Sequence, residues 1–250
     1  MWFSQFDQLV QRLVSPYPAA AGKVEPVGAL VLWCTRCPTA PPDRPTPGFP
    51  AVKRGSFRCS MATPGKSESA PGASALLAFI RRARRPVVLI DGGSGSGKTT
   101  LAAALAPALA AQLVRLEDFY PGWDGLESAS AAVAHDVLRP KNPGWQRWDW
   151  TTESAAEWHP LDPALPLVIE GCGCLSRANR ALATFALWVE LDAPTRKRRA
   201  IARDGDTYAP HWDRWAAQEL SFGLREQPSL LADVVLDDDD VSRLIDGLAW

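Results

Sequence analysis

Residues 87 to 99 leave this chain few folds to choose from. The apolar, β-branched run Val87-Val88-Leu89-Ile90 reads as a buried parallel strand, and Asp91 ends it. Gly92, Gly93, Ser94, Gly95, Ser96, Gly97, Lys98 and Thr99 follow at once and match G-x-x-x-x-G-K-[ST] in full. A chain that wraps a phosphate must turn consecutive backbone N–H groups inward, which glycine permits, and the helix that follows adds its positive end. Lys98 is expected to reach the β and γ phosphates, and the Thr99 hydroxyl to face Mg²⁺, a hard cation that takes oxygen ligands. With Thr100 closing the stretch, ATP or GTP binding is expected from Gly92 to Thr100.

The pattern around the loop extends this into a fold. Ala75 to Arg85 predicts a short helix, Lys98 to Ala111 a second one rich in Ala and Leu, and Leu113 to Leu116 a second strand. Leu165 to Glu170, Leu187 to Leu191 and Ala232 to Leu236 supply three more strands. Thr195 to Arg203, His211 to Leu224 and the C-terminus supply helices. Strands alternating with helices predict an α/β fold: a doubly wound parallel five-stranded sheet of the P-loop NTPase type, with helices on both faces.

Composition narrows the partners. With 27 Lys and Arg against 28 Asp and Glu, the net charge of −1 offers no positive field for nucleic acid. No stretch approaches the roughly 18 uninterrupted apolar residues of a membrane span, so a cytoplasmic location without a membrane partner is expected. Five cysteines, Cys34, Cys37, Cys59, Cys172 and Cys174, make an odd set with two in the core, which predicts reduced thiols. Residues 1–74 read as a low-complexity, disordered extension. Six prolines fall between positions 38 and 50, a small polar stretch follows, and Met61 is the expected initiator if the start is mis-assigned. The folded domain is then 75–250, with a substrate-side insertion at 119–163 and a lid at 203–211.

Ligands gather at the carboxyl edge of such a sheet, so the strand ends name the chemistry. The second strand runs into Glu117-Asp118-Phe119-Tyr120, where a carboxylate is placed to take the proton from an acceptor hydroxyl. Strand, phosphate loop, helix, strand and then Glu-Asp-Phe-Tyr resembles the uridine kinase family, part of a wider group with phosphoribulokinase and pantothenate kinase. The resemblance implies an ATP- and Mg²⁺-dependent kinase acting on a small-molecule acceptor. The family's catalytic acid comes first in its D-x-F-Y motif; that position holds Glu117 here, so either Glu117 or its neighbour Asp118 is the base. Glu170-Gly171 resembles the Glu-Gly that closes the third long strand of uridine kinases, which implies Glu170 as a metal-side acid beside Thr99.

Arg196, Arg199 and Arg203 recur at i, i+3 and i+7, one face of a helix, and resemble the family's arginines before the lid. Planar, permanently charged guanidinium groups suit the spread charge of a transferring phosphoryl group. On the substrate side, Tyr120 and Trp123 offer faces to a planar ring, Asp124 and Asp149 can accept hydrogen bonds from hydroxyls, and Arg147 can stack or meet phosphate. The insertion lacks the family's familiar wording, so a nucleoside is first among several hydroxyl-bearing acceptors. A P-loop ATPase, or a nucleotide-binding module without turnover, is the alternative. Acceptor-stimulated loss of ATP separates the kinase from both.

Overall fold

The structure, a computed structural model, describes residues 71–249. The expected extension, with Met61, Cys34, Cys37 and Cys59, lies outside the described residues except at positions 71–74, where Ala73 and Ser74 already open the first helix. In chain order the helices and strands are α1 (Ala73–Ile80), β1 (Val87–Gly92), α2 (Lys98–Ala108), β2 (Gln112–Arg115), α3 (Leu126–Ala132, continued by a wider turn over Val133–Val137), β3 (Gly144–Asp149), β4 (Ser154–Pro160), β5 (Leu167–Glu170), α4 (Arg177–Arg180), β6 (Phe185–Val189), α5 (Ala193–Asp204), α6 (Trp212–Glu226), α7 (Pro228–Leu231), β7 (Val234–Leu236) and α8 (Asp238–Leu248).

Five of the strands form one parallel sheet in the order β2-β5-β1-β6-β7. Side chains alternate across it, so each strand feeds two cores. Val87, Leu89, Leu167 and Ile169 pack on one face with Val133 and Val137 after α3, Ala200 of α5, and Trp215 and Phe222 of α6. Val88, Ile90, Val168 and Leu187 pack on the other with α1, α2 and α8, through Leu76, Leu101, Leu105, Val241 and Leu244. This is the doubly wound α/β sheet that the alternation of elements predicts. Among the described residues, no helix is long and apolar enough to cross a membrane.

Several boundaries moved for local reasons. α1 ends at Ile80 in tight turns from Phe79 and Ile80 carbonyls, before the residue preceding Pro86, which disfavours helix. β6 begins at Phe185 rather than Leu187 because Thr184 already bonds Val87 through both its backbone N–H and its hydroxyl. α5 starts two residues early: the Asp192 carboxylate accepts the Thr195 N–H at 2.9 Å, and Pro194 fits the first turn, where no N–H is needed.

The segment 119–163, for which the sequence predicts no element, holds α3 and the antiparallel hairpin β3–β4, a separate two-stranded sheet. The stretch 203–211, expected as a lid, consists of the end of α5 and two single helical turns, Gly205–Thr207 and Ala209–His211, that lead directly into α6.

Candidate active site

The sheet register brings the acidic strand ends to the phosphate loop. Ile90 lies beside Glu170 on one side and Leu187 on the other, and Arg115 is level with Glu170, so β2 and β5 end together while β1 runs on two residues to Gly92. The loop Gly92–Thr99 leaves from that edge. Gly95 has φ +80°, a conformation L side chains avoid, and a Cβ there would collide with the Arg196 carbonyl. A Cβ on Gly93 would collide with the Arg196 guanidinium, so these glycines also let α5 close onto the loop.

Asp91, at the end of the apolar run of β1, organises this edge. It is buried; its Oδ1 accepts the N–H of Gly92 at 2.7 Å and of Gly173 at 3.1 Å, and its Oδ2 accepts the N–H of Leu175 at 2.8 Å. Burial pushes its pKa up to about 7, against the pull of these N–H groups and Lys98. Lys98 is also buried. Burial opposes its charge, but the acids around it, Glu170 and Glu219 among them, favour the charged form, and its pKa stands above the usual lysine value. Glu170 is 2% exposed, and its closest cation among the described ion pairs is Arg115, at 3.8 Å. Burial raises its pKa, while Lys98 and the Thr99 hydroxyl favour its charged form.

A cavity of about 480 Å³ opens over these groups. Its floor is Ser94, Lys98, Thr99, Glu170, Gly171 and Cys172; its walls are Glu117, Tyr120, Trp123, Trp150 and Trp215, with Arg203, Asp204, Thr207, Tyr208 and His211 on one side. Tyr120 is buried and donates its Oη–H to the Cys172 carbonyl at 2.8 Å. The Trp123 ring is stacked on His211, 4.2 Å between centroids, and on Tyr208 at 5.5 Å, with Trp150 tilted against it at 5.1 Å. Segments 119–163 and 203–211 therefore meet through aromatic faces beside the cavity.

The other expected site residues lie outside these walls. Asp118, next to Glu117 on the tight turn Leu116–Asp118, is not a lining residue; partial burial pushes its pKa up against Arg115, His159 and Arg147. Asp124 pairs with Arg214 and is exposed. Arg147 pairs with Glu157 of the facing strand at 2.6 Å. The Asp149 carboxylate closes the hairpin turn by accepting the Thr151 N–H at 2.9 Å and the Thr152 N–H at 3.3 Å. The three arginines of α5 separate: Arg203 lines the cavity while paired with its neighbour Asp204 at 2.8 and 2.7 Å, Arg199 forms a two-pronged pair with Asp238 at 2.7 and 2.8 Å, and Arg196 lies against the loop at Gly93.

Residues that sequence reasoning missed include Asp91, Tyr208, His211, Trp215 and Glu219. A signal for the last existed: Trp212, Trp215, Glu219 and Phe222 follow i, i+3, i+7, i+10, so a carboxylate stands in an otherwise apolar stripe of α6. Cys172 and Cys174 are both buried free thiols; burial pushes Cys172 up to about 12, which keeps it neutral and suits packing.

No protein-family model and no curated protein matches the sequence. Among solved structures, the chain is similar to a possible uridine kinase from Bacillus stearothermophilus: 21% identity, 66% of this chain, 97% of that one, TM-score 0.48. It is also similar to a gluconokinase from Sinorhizobium meliloti (16% identity, 67% and 94%, TM-score 0.37) and to a shikimate kinase from Acinetobacter baumannii (14%, 69% and 93%, TM-score 0.41). With identities below 25% and TM-scores below 0.5, the fold rests on the strand order above and the site on its own residues.

Proposed function

We propose that this chain is an ATP-dependent kinase that transfers the γ-phosphoryl group to a hydroxyl of a small acceptor. The observation that carries the reading is one cavity in which Lys98 and Thr99 of the phosphate loop, the buried acid Glu170 and the reachable acid Glu117 face an aromatic wall.

The residues present fit a nucleotide phosphate and Mg²⁺. The Ser96 hydroxyl is buried in the loop without a hydrogen-bond partner among the described residues, and Lys98 keeps its charge. Thr99 and Glu170 are oxygen donors on the cavity floor. Among the described residues, no three His, Cys, Asp or Glu side chains cluster as a metal cage. That suits a cation that keeps its waters and shares ligands with a phosphate chain. Bound there through Thr99 and Glu170, Mg²⁺ would neutralise charge on the phosphates.

The chain's own groups supply the rest. Glu117 accepts the proton as the acceptor oxygen attacks the γ-phosphorus and the bond to the β-phosphate oxygen breaks, releasing ADP. Arg203, delivered by the lid, offers planar donors to the phosphoryl oxygens. Trp123, Trp150 and Trp215 exclude water and present flat apolar surface to the acceptor. The aromatic wall, together with the Glu-Asp-Phe-Tyr run, favours a nucleoside-like acceptor with a planar ring.

The test is ADP formation from Mg·ATP with a panel of nucleosides, pantothenate and simple sugars, beside Lys98→Ala. Release that one acceptor stimulates in the wild type and not in the variant supports the kinase. Release at one rate with or without acceptor points to an ATPase, and nucleotide binding without turnover to a binding module.

A further inference from the structure

Glu219 ties α6 to the phosphate loop. Its Oε1 accepts the Ser94 N–H at 2.7 Å and lies 3.3 Å from the Cys172 thiol; its Oε2 accepts from Arg196 Nη1 at 2.9 Å. Arg196 Nη1 also donates to the Ser94 carbonyl at 3.2 Å, and its Nε donates to the Leu191 carbonyl at 3.2 Å. One ion pair thus grips both peptide units of Ser94, the N–H through the acid and the C=O through the base. The pair is largely shielded, with side-chain exposures of 12% for Glu219 and 17% for Arg196. Neither residue lines the cavity, whereas Ser94 and, one helical turn before Glu219, Trp215 do.

We propose that Glu219 and Arg196 form a positioning pair: Glu219 holds Arg196 across Gly93 and fixes the two peptide planes at Ser94, so that the remaining loop N–H groups are aimed before phosphate arrives. Arg196 then acts on the nucleotide through the loop and does not touch the transferring group. Charge is required on both sides. Hydrogen bonds between ionised groups are about twice as strong as neutral ones, and removing one partner leaves the other shielded and unpaired. The two glycines flanking Ser94 leave the volume that Arg196 fills, so loop and pair are matched in shape. Prearranged donors lower the cost of binding an anion.

The proposal rests on the nucleotide-binding reading of the loop, and one experiment separates the two. Mg·ATP is titrated calorimetrically into the full chain as wild type, Glu219→Ala, Arg196→Ala, the double variant and Glu219→Gln, with melting temperatures on the same preparations. Each alanine variant is expected to weaken binding about tenfold, the scale of losing the charge-assisted hold on the Ser94 peptide. The double variant is also expected to lose about tenfold in total, because a pair acting as a unit is not additive. Glu219→Gln keeps an oxygen for the Ser94 N–H and should lose about threefold; it carries the test should the alanine variant not fold. Unchanged or tighter binding by the Glu219 variants, a lower melting temperature with unchanged affinity, or single effects that multiply in the double variant would each overturn the proposal. A wild type that does not bind Mg·ATP would overturn the nucleotide reading itself, and the pair's role with it.

Discussion

The Asp91 carboxylate accepts the N–H of Leu175 at 2.8 Å across 84 residues of sequence, and this bond ties the loop after β5 to the loop after β1. The same acid receives Gly92 and Gly173, so both walls of the cavity floor hang on one buried side chain.

That arrangement predicts a pH dependence of stability. Burial raises the folded-state pKa of Asp91 from 3.8 to about 7. The folded state therefore binds more protons than the unfolded state between those values, and stability falls as pH rises through the window. The contribution is fully present below about pH 4 and lost above about pH 7, with a size of a few kcal/mol at most. Urea unfolding at steps across this range should show the decline in the wild type, and Asp91→Asn should flatten it. An unchanged slope in the variant would contradict the assignment.

Glu117 lines the cavity and Asp118 does not, which separates two acids that the sequence left equal. Glu117→Gln should lower kcat by about 10²-fold or more, the usual worth of a positioned general base. Asp118→Asn should stay within about threefold, as removal of a charge outside the walls does. Steady-state kinetics with the preferred acceptor decides between them, and the reverse ranking would assign the base to Asp118.

The arginines of α5 should divide in the same way. Arg203→Ala should reduce kcat by about 10²-fold through lost phosphoryl stabilisation. Arg199 belongs to a half-exposed pair with Asp238, and Arg199→Ala should leave kcat within about twofold and cost at most about 1 kcal/mol of stability. Equal losses in both would mean that Arg199 leaves Asp238 to reach the nucleotide.

Much of this was legible because strong local patterns coincide with strong local physics. A β-branched run before a glycine-rich loop has one common structural outcome, and β1 and α2 begin where Val87 and Lys98 predict. Glu170 was findable because it terminates an apolar run. The segment 119–163 was harder. Trp145, Arg147, Trp148 and Asp149 break strict alternation, and the hairpin turn uses Glu153 at φ +50° where glycine would have signalled it. The charges chosen there for substrate, Asp124, Arg147 and Asp149, find partners nearby in space or in their own turn, which depends on tertiary placement and not on residue type. α3 did carry a pattern, with Leu126, Ala129, Val133 and Val137 at helical spacing, but its small residues made the stripe faint. Glu219 is marked in the sequence by its place in an apolar stripe, but its partners Ser94 and Arg196 appear only when α6 meets the phosphate loop.

The kinase reading stands or falls on whether a phosphoryl group leaves ATP and appears on another small molecule. A small-molecule cell extract incubated with the full chain and Mg·ATP, then compared by mass spectrometry with the Lys98→Ala incubation, reads this directly. The account predicts a new species heavier than an extract component by one phosphoryl group, formed with stoichiometric ADP and absent with the variant. ADP and free phosphate in equal amounts, with no phosphorylated acceptor, would contradict it.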